Sequence, residues 1–160
     1  MDRVTIGISD MAAVRAGQSI ITYALGSCVG VALYDPLSRI AGLAHIMLPS
    51  GGNNLPGPGR RKFVDTALPE LVNQMREMGA LTYLLKAKIA GGADMFKLNA
   101  AGPISNIGER NVKMARYVLR AIGIAVVAED VGGSAGRTVE LFADDGVFRI
   151  KTISAGTRDI

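Results

Sequence analysis

Thr22-Tyr-Ala-Leu-Gly-Ser-Cys-Val-Gly-Val-Ala-Leu-Tyr-Asp-Pro36, followed by Arg39-Ile-Ala-Gly-Leu-Ala-His-Ile-Met-Leu-Pro49, reads as two apolar runs joined by a turn. Each run is short and bounded by Gly or Pro, as buried strands are. Asp35 and Pro36 suit the first two positions of a type I turn, the usual basis of four-residue hairpin loops. A turn over Asp35-Pro36-Leu37-Ser38 predicts Tyr34 facing Arg39. Carried along the ladder, that register predicts Cys28 directly opposite His45, on the same face. A five-residue loop would instead turn His45 to the other face, so the pairing rests on the turn.

Cys28 is the only cysteine of the chain and His45 its only histidine. A thiol becomes a useful nucleophile when a base or positive charge helps it ionise, and histidine is the commonest helper. Taken singly, a free cysteine is more often a small buried hydrophobe, and a lone histidine a satisfied surface or core residue. Their joint placement favours chemistry. Gly26 and Ser27 lead into Cys28, and a bend there offers backbone N–H groups to an oxyanion. Gly30 and Ala32 share the face of Cys28 and are expected to leave space beside the thiol. A third group usually fixes the imidazole of such a pair. Thr22, six residues before Cys28, is the nearest sensible hydroxyl on an adjacent strand, although threonine is also common in strands for packing alone.

The composition narrows the function classes. With 160 residues, 49% of them hydrophobic, the chain is expected to form one domain, 1–160, with a full core. No stretch approaches the roughly 18 uninterrupted apolar residues of a membrane helix, and the start Met1-Asp-Arg-Val-Thr5 lacks a signal-peptide layout. A single cysteine forms no internal disulfide, so a cytoplasmic setting is expected. One Cys and one His also argue against zinc, and no cofactor is expected. The net charge of +4 is modest, and only Arg60-Arg61-Lys62 forms a basic run, without interleaved aromatics. A solvated surface explains that run better than nucleic acid does, and an acidic protein partner is the better functional alternative. The glycine pairs at 51–52, 91–92 and 132–133 fit neither a Walker A nor a dinucleotide motif.

The first half is predicted to be strand-rich, over Val4–Ile8, Ala13–Arg15, Ser19–Ala24, Val29–Tyr34 and Ile40–Leu48. Pro49–Gly59 reads as a surface loop long enough to shape a substrate mouth. Val64, Ala67, Leu68, Leu71, Val72, Met75 and Met78 recur at helical spacing, predicting a helix over Arg61–Met78 that Pro69 kinks and Gly79 ends. Leu81–Ala90 reads as a strand. A second helix is predicted from Asn106, with Glu109 as capping-box partner, to Gly123. Ile124–Glu129 follows as a buried strand, and Arg137–Phe142 with Val147–Ile153 form a hairpin around Asp144-Asp145-Gly146. The fold class is α+β: packed mixed β-sheets flanked by two main helices.

Five blocks carry a resemblance. Leu25-Gly-Ser-Cys-Val-Gly-Val-Ala-Leu-Tyr-Asp35, Gly42-Leu-Ala-His-Ile-Met-Leu-Pro49, Lys88-Ile-Ala-Gly-Gly-Ala93, Ile107-Gly-Glu-Arg-Asn-Val112 and Ala128-Glu-Asp-Val-Gly-Gly133 run in order along the chain. Together they resemble the chemoreceptor glutamine deamidases, the CheD family. The resemblance implies a cytoplasmic chemotaxis hydrolase, a protein-glutamine glutaminase converting receptor glutamines to glutamates. It implies Cys28 as nucleophile, His45 as general base and acid, and Thr22 as the residue orienting His45. It also implies a fold similar to bacterial toxin-type cysteine deamidases, receptor cytoplasmic domains as substrates, hydrolysis of receptor glutamyl methyl esters in some members, and a CheC-type phosphatase as partner. Two other classes stay open at this point: a non-catalytic adaptor binding receptor and phosphatase, and a thiol redox sensor, which lacks a resolving cysteine.

Overall fold

The computed structural model describes residues 1–95 and 106–160. Ten strands and two α-helices follow one another along the described chain. The strands are β1 (Asp2–Thr5), β2 (Asp10–Val14), β3 (Gln18–Leu25), β4 (Val29–Asp35), β5 (Ile40–Ile46), β6 (Lys86–Gly91), β7 (Ala125–Val131), β8 (Arg137–Phe142), β9 (Phe148–Thr152) and β10 (Gly156–Asp159). The helices are α1 (Val64–Glu77), between β5 and β6, and α2 (Ile107–Ala121), between β6 and β7. One sheet has the order β1-β3-β8-β9-β10 and the other β2-β5-β4-β6-β7. Both are mixed: β1 runs parallel to β3 and β6 parallel to β7, while the other pairs are antiparallel.

The sheets stack face to face, and the helices cover the outer face of the second sheet. Two apolar layers result. Ile20, Leu25, Ala32, Leu43, Val139, Leu141 and Phe148 fill the space between the sheets. Val31, Leu33, Ile46, Leu68, Leu71, Met75, Ile89 and Leu119 fill the space between sheet and helices. The apolar stripe expected on α1 faces this second layer, with Val72 and Met78 packed at its margin. Pro69 lies within α1 without ending it. Gly42 on β5 has no side chain because α1 lies close; a Cβ there would sit 2.6 Å from the Met75 sulfur.

The hairpin of β4 and β5 forms, with a register two residues from that expected. Asp35 pairs with Ile40, so the loop is Pro36-Leu37-Ser38-Arg39, and Gly30 rather than Cys28 stands opposite His45. The cause is Asp35. Its carboxylate accepts hydrogen bonds from the Leu37 N–H (2.9 Å), the Ser38 hydroxyl (2.6 Å) and the Leu81 N–H (2.8 Å). Burial alone would raise its pKa, but these bonds, with a further contribution from the Ser38 N–H, outweigh burial and hold the carboxyl below its usual value. So anchored, Asp35 stays in the strand, and Arg39 takes the left-handed turn position (φ 55°). A two-residue slip preserves the face, so Cys28 and His45 still point the same way.

Smaller differences have local causes. A 3₁₀ turn over Thr82–Leu84 delays β6, and another over Gly57–Lys62 delays α1. Asn106 precedes α2 in a left-handed conformation (φ 58°) without a side-chain capping bond, and Glu109 pairs with Lys113 at 3.1 Å, so the capping box does not form. The β8–β9 hairpin turns as expected, with the Gly146 N–H donating to the Phe142 carbonyl at 2.8 Å. β10 adds a strand the sequence does not announce; its residues are exposed, without an apolar pattern to read. Among the described residues, no helix is long and apolar enough to cross a membrane, and no cluster of three or more His, Cys, Asp or Glu is placed to hold a metal ion.

Candidate active site

His45 lies near the end of β5, between Gly30 of β4 and Asp10 of β2. Its side chain has the same parity as Ala41 and Leu43, so it enters the layer between the sheets, where it is fully buried. Thr22 meets it from the opposite sheet. Thr22 is the last residue of β3 in regular register with β8 before the ladder shifts between Thr22 and Leu25, where Ala24 adopts a positive φ of 60°. Bulges of this kind re-aim side chains beside sites. The Thr22 Oγ1 lies 2.7 Å from the His45 Nδ1 and donates its proton to the Ile6 carbonyl at 3.0 Å.

These two bonds assign the imidazole. A carbonyl only accepts, so the one hydroxyl proton of Thr22 is spent on Ile6. The bond to His45 then needs its hydrogen from the ring, which places the proton on Nδ1. Nε2 is left with a lone pair, buried and, among the described residues, without a hydrogen-bond partner. An orphaned buried acceptor costs about 1–3 kcal/mol and is uncommon enough to demand a reason. Burial also pushes the His45 pKa from 6.5 down to about 4, so the ring is neutral near pH 7.

Cys28 lies in the bend just before β4, with its side chain in the layer between the sheets. In a regular ladder it is a diagonal neighbour of His45, a relation spanning about 7–8 Å between Cα atoms. No hydrogen bond joins its sulfur to Nε2. Burial raises the thiol pKa above its ordinary value, while the residue's own backbone N–H pulls it down more weakly. Thiol and imidazole therefore both rest neutral. The space expected beside the thiol at Gly30 is occupied: a Cβ there would lie 3.1 Å from the Leu25 Cδ1 and 3.5 Å from Val139. Gly30 is small to let the two sheets close.

The bend is held from below. The carbonyls of Gly26, Ser27 and Cys28 accept hydrogen bonds from the Ala93 N–H (2.9 Å), the Asn111 Nδ2 (3.0 Å) and the Gly92 N–H (2.8 Å). Gly91 explains one glycine pair, since a Cβ at its φ of 100° would meet the Cys28 carbonyl oxygen at 2.3 Å. Arg137, which is buried, ties this turn to its neighbours by donating to Asp130 (2.9 Å) and the Gly132 carbonyl (2.9 Å). Sequence reasoning missed Asn111 and Arg137, though both lie in or beside blocks of the resemblance.

A cleft of about 540 Å³ opens beside the bend, lined by Ser27, Met47, Leu48, Met95 and Glu109 among others. Residues 49–59, expected to shape a mouth, do not line it; Gly57 and Pro58 border a different cleft beside α1. Clefts of similar size lie beside α1 and between α2 and β7, so size alone does not select a site; this one is singled out by Ser27, the residue before Cys28, in its wall. Of the three candidates only Cys28 touches solvent, at 8% exposure, while Thr22 and His45 have none.

The family model described as CheD chemotactic sensory transduction matches residues 47–152. The chain is 44% identical over 161 residues to a Clostridium novyi protein named "Probable chemoreceptor glutamine deamidase CheD", covering 99% of this chain and 98% of that one. It is 42% identical over 160 residues to the chemoreceptor glutamine deamidase CheD of Halalkalibacterium halodurans, covering 99% of each. Among solved structures, Neisseria meningitidis protein NMB0706 of family DUF152 superposes with a TM-score of 0.52 at 11% identity, over 83% of this chain and 64% of that one. That likeness concerns the fold alone, in keeping with the mixed sheets and two helices described above. The family-model match and the near-full-length relatives agree: the chain belongs to the CheD family.

Proposed function

We propose that this protein deamidates glutamine side chains of chemoreceptor cytoplasmic domains, with Cys28 as nucleophile, His45 as general base and acid, and Thr22 orienting His45. The observation that carries the proposal is the orphaned Nε2 of a neutral imidazole whose Nδ1–H is held by Thr22, in the layer shared with the chain's one thiol. The names borne by the near-full-length relatives support the substrate class. They also favour a cytoplasmic location, since receptor signalling domains are found there.

The resting state is thiol and imidazole rather than thiolate and imidazolium, so proton transfer accompanies attack. As the Cys28 sulfur bonds to the glutamine side-chain carbonyl carbon, Nε2 takes the thiol proton. The resulting oxyanion is held by backbone N–H groups of the Ser27–Cys28 bend. The imidazolium then gives its proton to the departing nitrogen, releasing ammonia and leaving a thioester. Water, losing a proton to Nε2, hydrolyses the thioester to a glutamate carboxylate and restores the thiol. Glutamyl methyl esters would follow the same course with methanol leaving in place of ammonia. A CheC-type phosphatase is proposed as a second partner on the strength of the family blocks alone.

The test is ammonia release from a purified receptor cytoplasmic fragment, with mass spectrometry of its glutamines for the one-unit gain of deamidation. Release by the wild-type chain and none by Cys28→Ala is expected. A Cys28→Ala protein that still releases ammonia would end the covalent mechanism, and a wild-type protein that binds receptor without release would leave an adaptor.

A further inference from the structure

The ladder between β4 and β5 ends at the pair Val29–Ile46. Cys28 lies one residue beyond it, so no rung of that ladder fixes how far the thiol stands from His45. One side chain spans the gap. Asn111, fully buried on α2, donates one Nδ2 hydrogen to the Ser27 carbonyl and the other to the Met47 carbonyl, each at 3.0 Å. Ser27 precedes Cys28, and Met47 lies two residues after His45. A single planar amide thus sets the spacing of the two segments that carry thiol and imidazole.

Two further observations separate this arrangement from ordinary packing. Among the described residues the Asn111 Oδ1 is buried without a partner, a cost borne while both N–H groups are used. A residue chosen for stability alone would satisfy both ends of its amide. Second, α2 is fixed against the seat of the bend by backbone. A Cβ on Gly108 would lie 2.5 Å from the Ala93 carbonyl oxygen and 2.6 Å from that of Gly92. Since Ala93 and Gly92 also hold the Gly26 and Cys28 carbonyls, helix, turn and bend form one rigid unit from which Asn111 reaches across.

We infer that Asn111 is a positioning residue that sets the separation of the Cys28 thiol from the His45 imidazole. The inference rests on the reading of Cys28 and His45 as the reacting pair. Asn111 touches neither group and has no solvent exposure, so it acts through the two carbonyls. Misplacing a reacting group by about 1 Å can cost on the order of 100-fold in rate.

The experiment compares wild type, Asn111→Leu, Asn111→Ser, His45→Gln and the double variant His45→Gln/Asn111→Leu. Asn111→Leu keeps volume and removes both donors, while Asn111→Ser keeps one donor and guards against a failure to fold. Three readouts are taken: thermal melting, kcat and KM for ammonia release from a receptor fragment, and alkylation of Cys28 by iodoacetamide from pH 5 to 9. In folded Asn111 variants, kcat is expected to fall about 10- to 100-fold with KM within about threefold. The alkylation component that His45→Gln removes should vanish in them too, although His45 is present. In the His45→Gln background, Asn111→Leu should then change alkylation no further, the non-additivity expected of residues acting through one contact. A folded Asn111 variant with wild-type kcat and an unchanged alkylation profile overturns the inference and leaves Asn111 as packing. Should His45→Gln itself retain wild-type turnover, the reacting pair fails and the inference falls with it.

Discussion

β5 has two faces, and they are built differently. Ile40, Ala44 and Ile46 turn toward the helices and meet Leu68, Leu71 and Met75, a layer filled by large aliphatic side chains. Ala41, Leu43 and His45 turn toward the other sheet, where the layer admits Thr22, Cys28 and the bare backbone of Gly30. Both layers are buried. The helix-facing one is stabilised by area removed from water, about 25 cal/mol per Å². The inter-sheet one gives up part of that gain to hold an imidazole with a free lone pair. One seven-residue strand therefore separates the packing face from the face of the proposed chemistry by parity alone.

Substitutions on the two faces should have different signatures. Cys28→Ala is expected to abolish ammonia release and leave the melting temperature near wild type, because alanine fills most of the same small site. A large loss of stability in that variant would mean that the inter-sheet layer depends on the thiol for packing. Leu71→Ala, on the opposite face, should cost about 2–5 kcal/mol in denaturant unfolding, with turnover per folded molecule unchanged. Loss of turnover in the folded fraction would show that the faces are not separable.

Thr22→Val belongs to both categories. It keeps shape and strand preference, but it leaves the Ile6 carbonyl and the Nδ1–H of His45 buried without partners. A stability loss of about 1–3 kcal/mol is expected. Turnover should also drop, by less than the roughly 10²–10⁴-fold that a general base supplies. Thr22→Ser restores the hydroxyl and should recover most of both. Equal turnover in wild type and Thr22→Val would reduce Thr22 to packing and leave a Cys–His dyad.

The most gradual effect is a pH slope. His45 is held neutral with its pKa pushed from 6.5 to about 4, so the unfolded chain binds the extra proton first as pH falls. Stability from this residue is complete above pH 6.5, declines as pH drops from 6.5 to 4, and levels off below that. Each pH unit in that window weakens the fold by up to about 1.4 kcal/mol. Urea unfolding at pH 7, 5.5 and 4.5 should show the slope in wild type and a shallower one in His45→Gln. Identical slopes would mean that the buried imidazole is not what makes the fold acid-sensitive.

Much of this arrangement was legible in the chain before any coordinates. Alternation around Cys28 and His45 put both on one face, and parity survived the error in register because the slip was even. The difference comes from Asp35, which suits the first position of a turn but is held in the strand by its carboxylate. Its partner at Leu81 lies 46 residues away and has no local sign. The stripe on α1 was readable because one helix face meets one sheet. Thr22 was reached by its hydroxyl, but it was expected on an adjacent strand, and in fact it crosses from the opposite sheet. Asn111 could not be found by periodicity, since a buried asparagine on a helix looks like any polar surface residue until its two carbonyls are known. Gly30 misled for a related reason: a missing side chain reads as room, and the neighbouring sheet had already taken it.

The 2.7 Å contact between Thr22 and His45 joins residues of different sheets. The ring is thus aimed by the thickness of the sandwich rather than by its own strand. Hydrogen bonds weaken steeply as they lengthen or bend, so a slight swelling of the layer releases the ring while every strand remains paired. Under the proposed mechanism, catalytic competence is then a finer gauge of how tightly the two sheets are pressed together than any unfolding curve. A protein built this way falls silent before it falls apart.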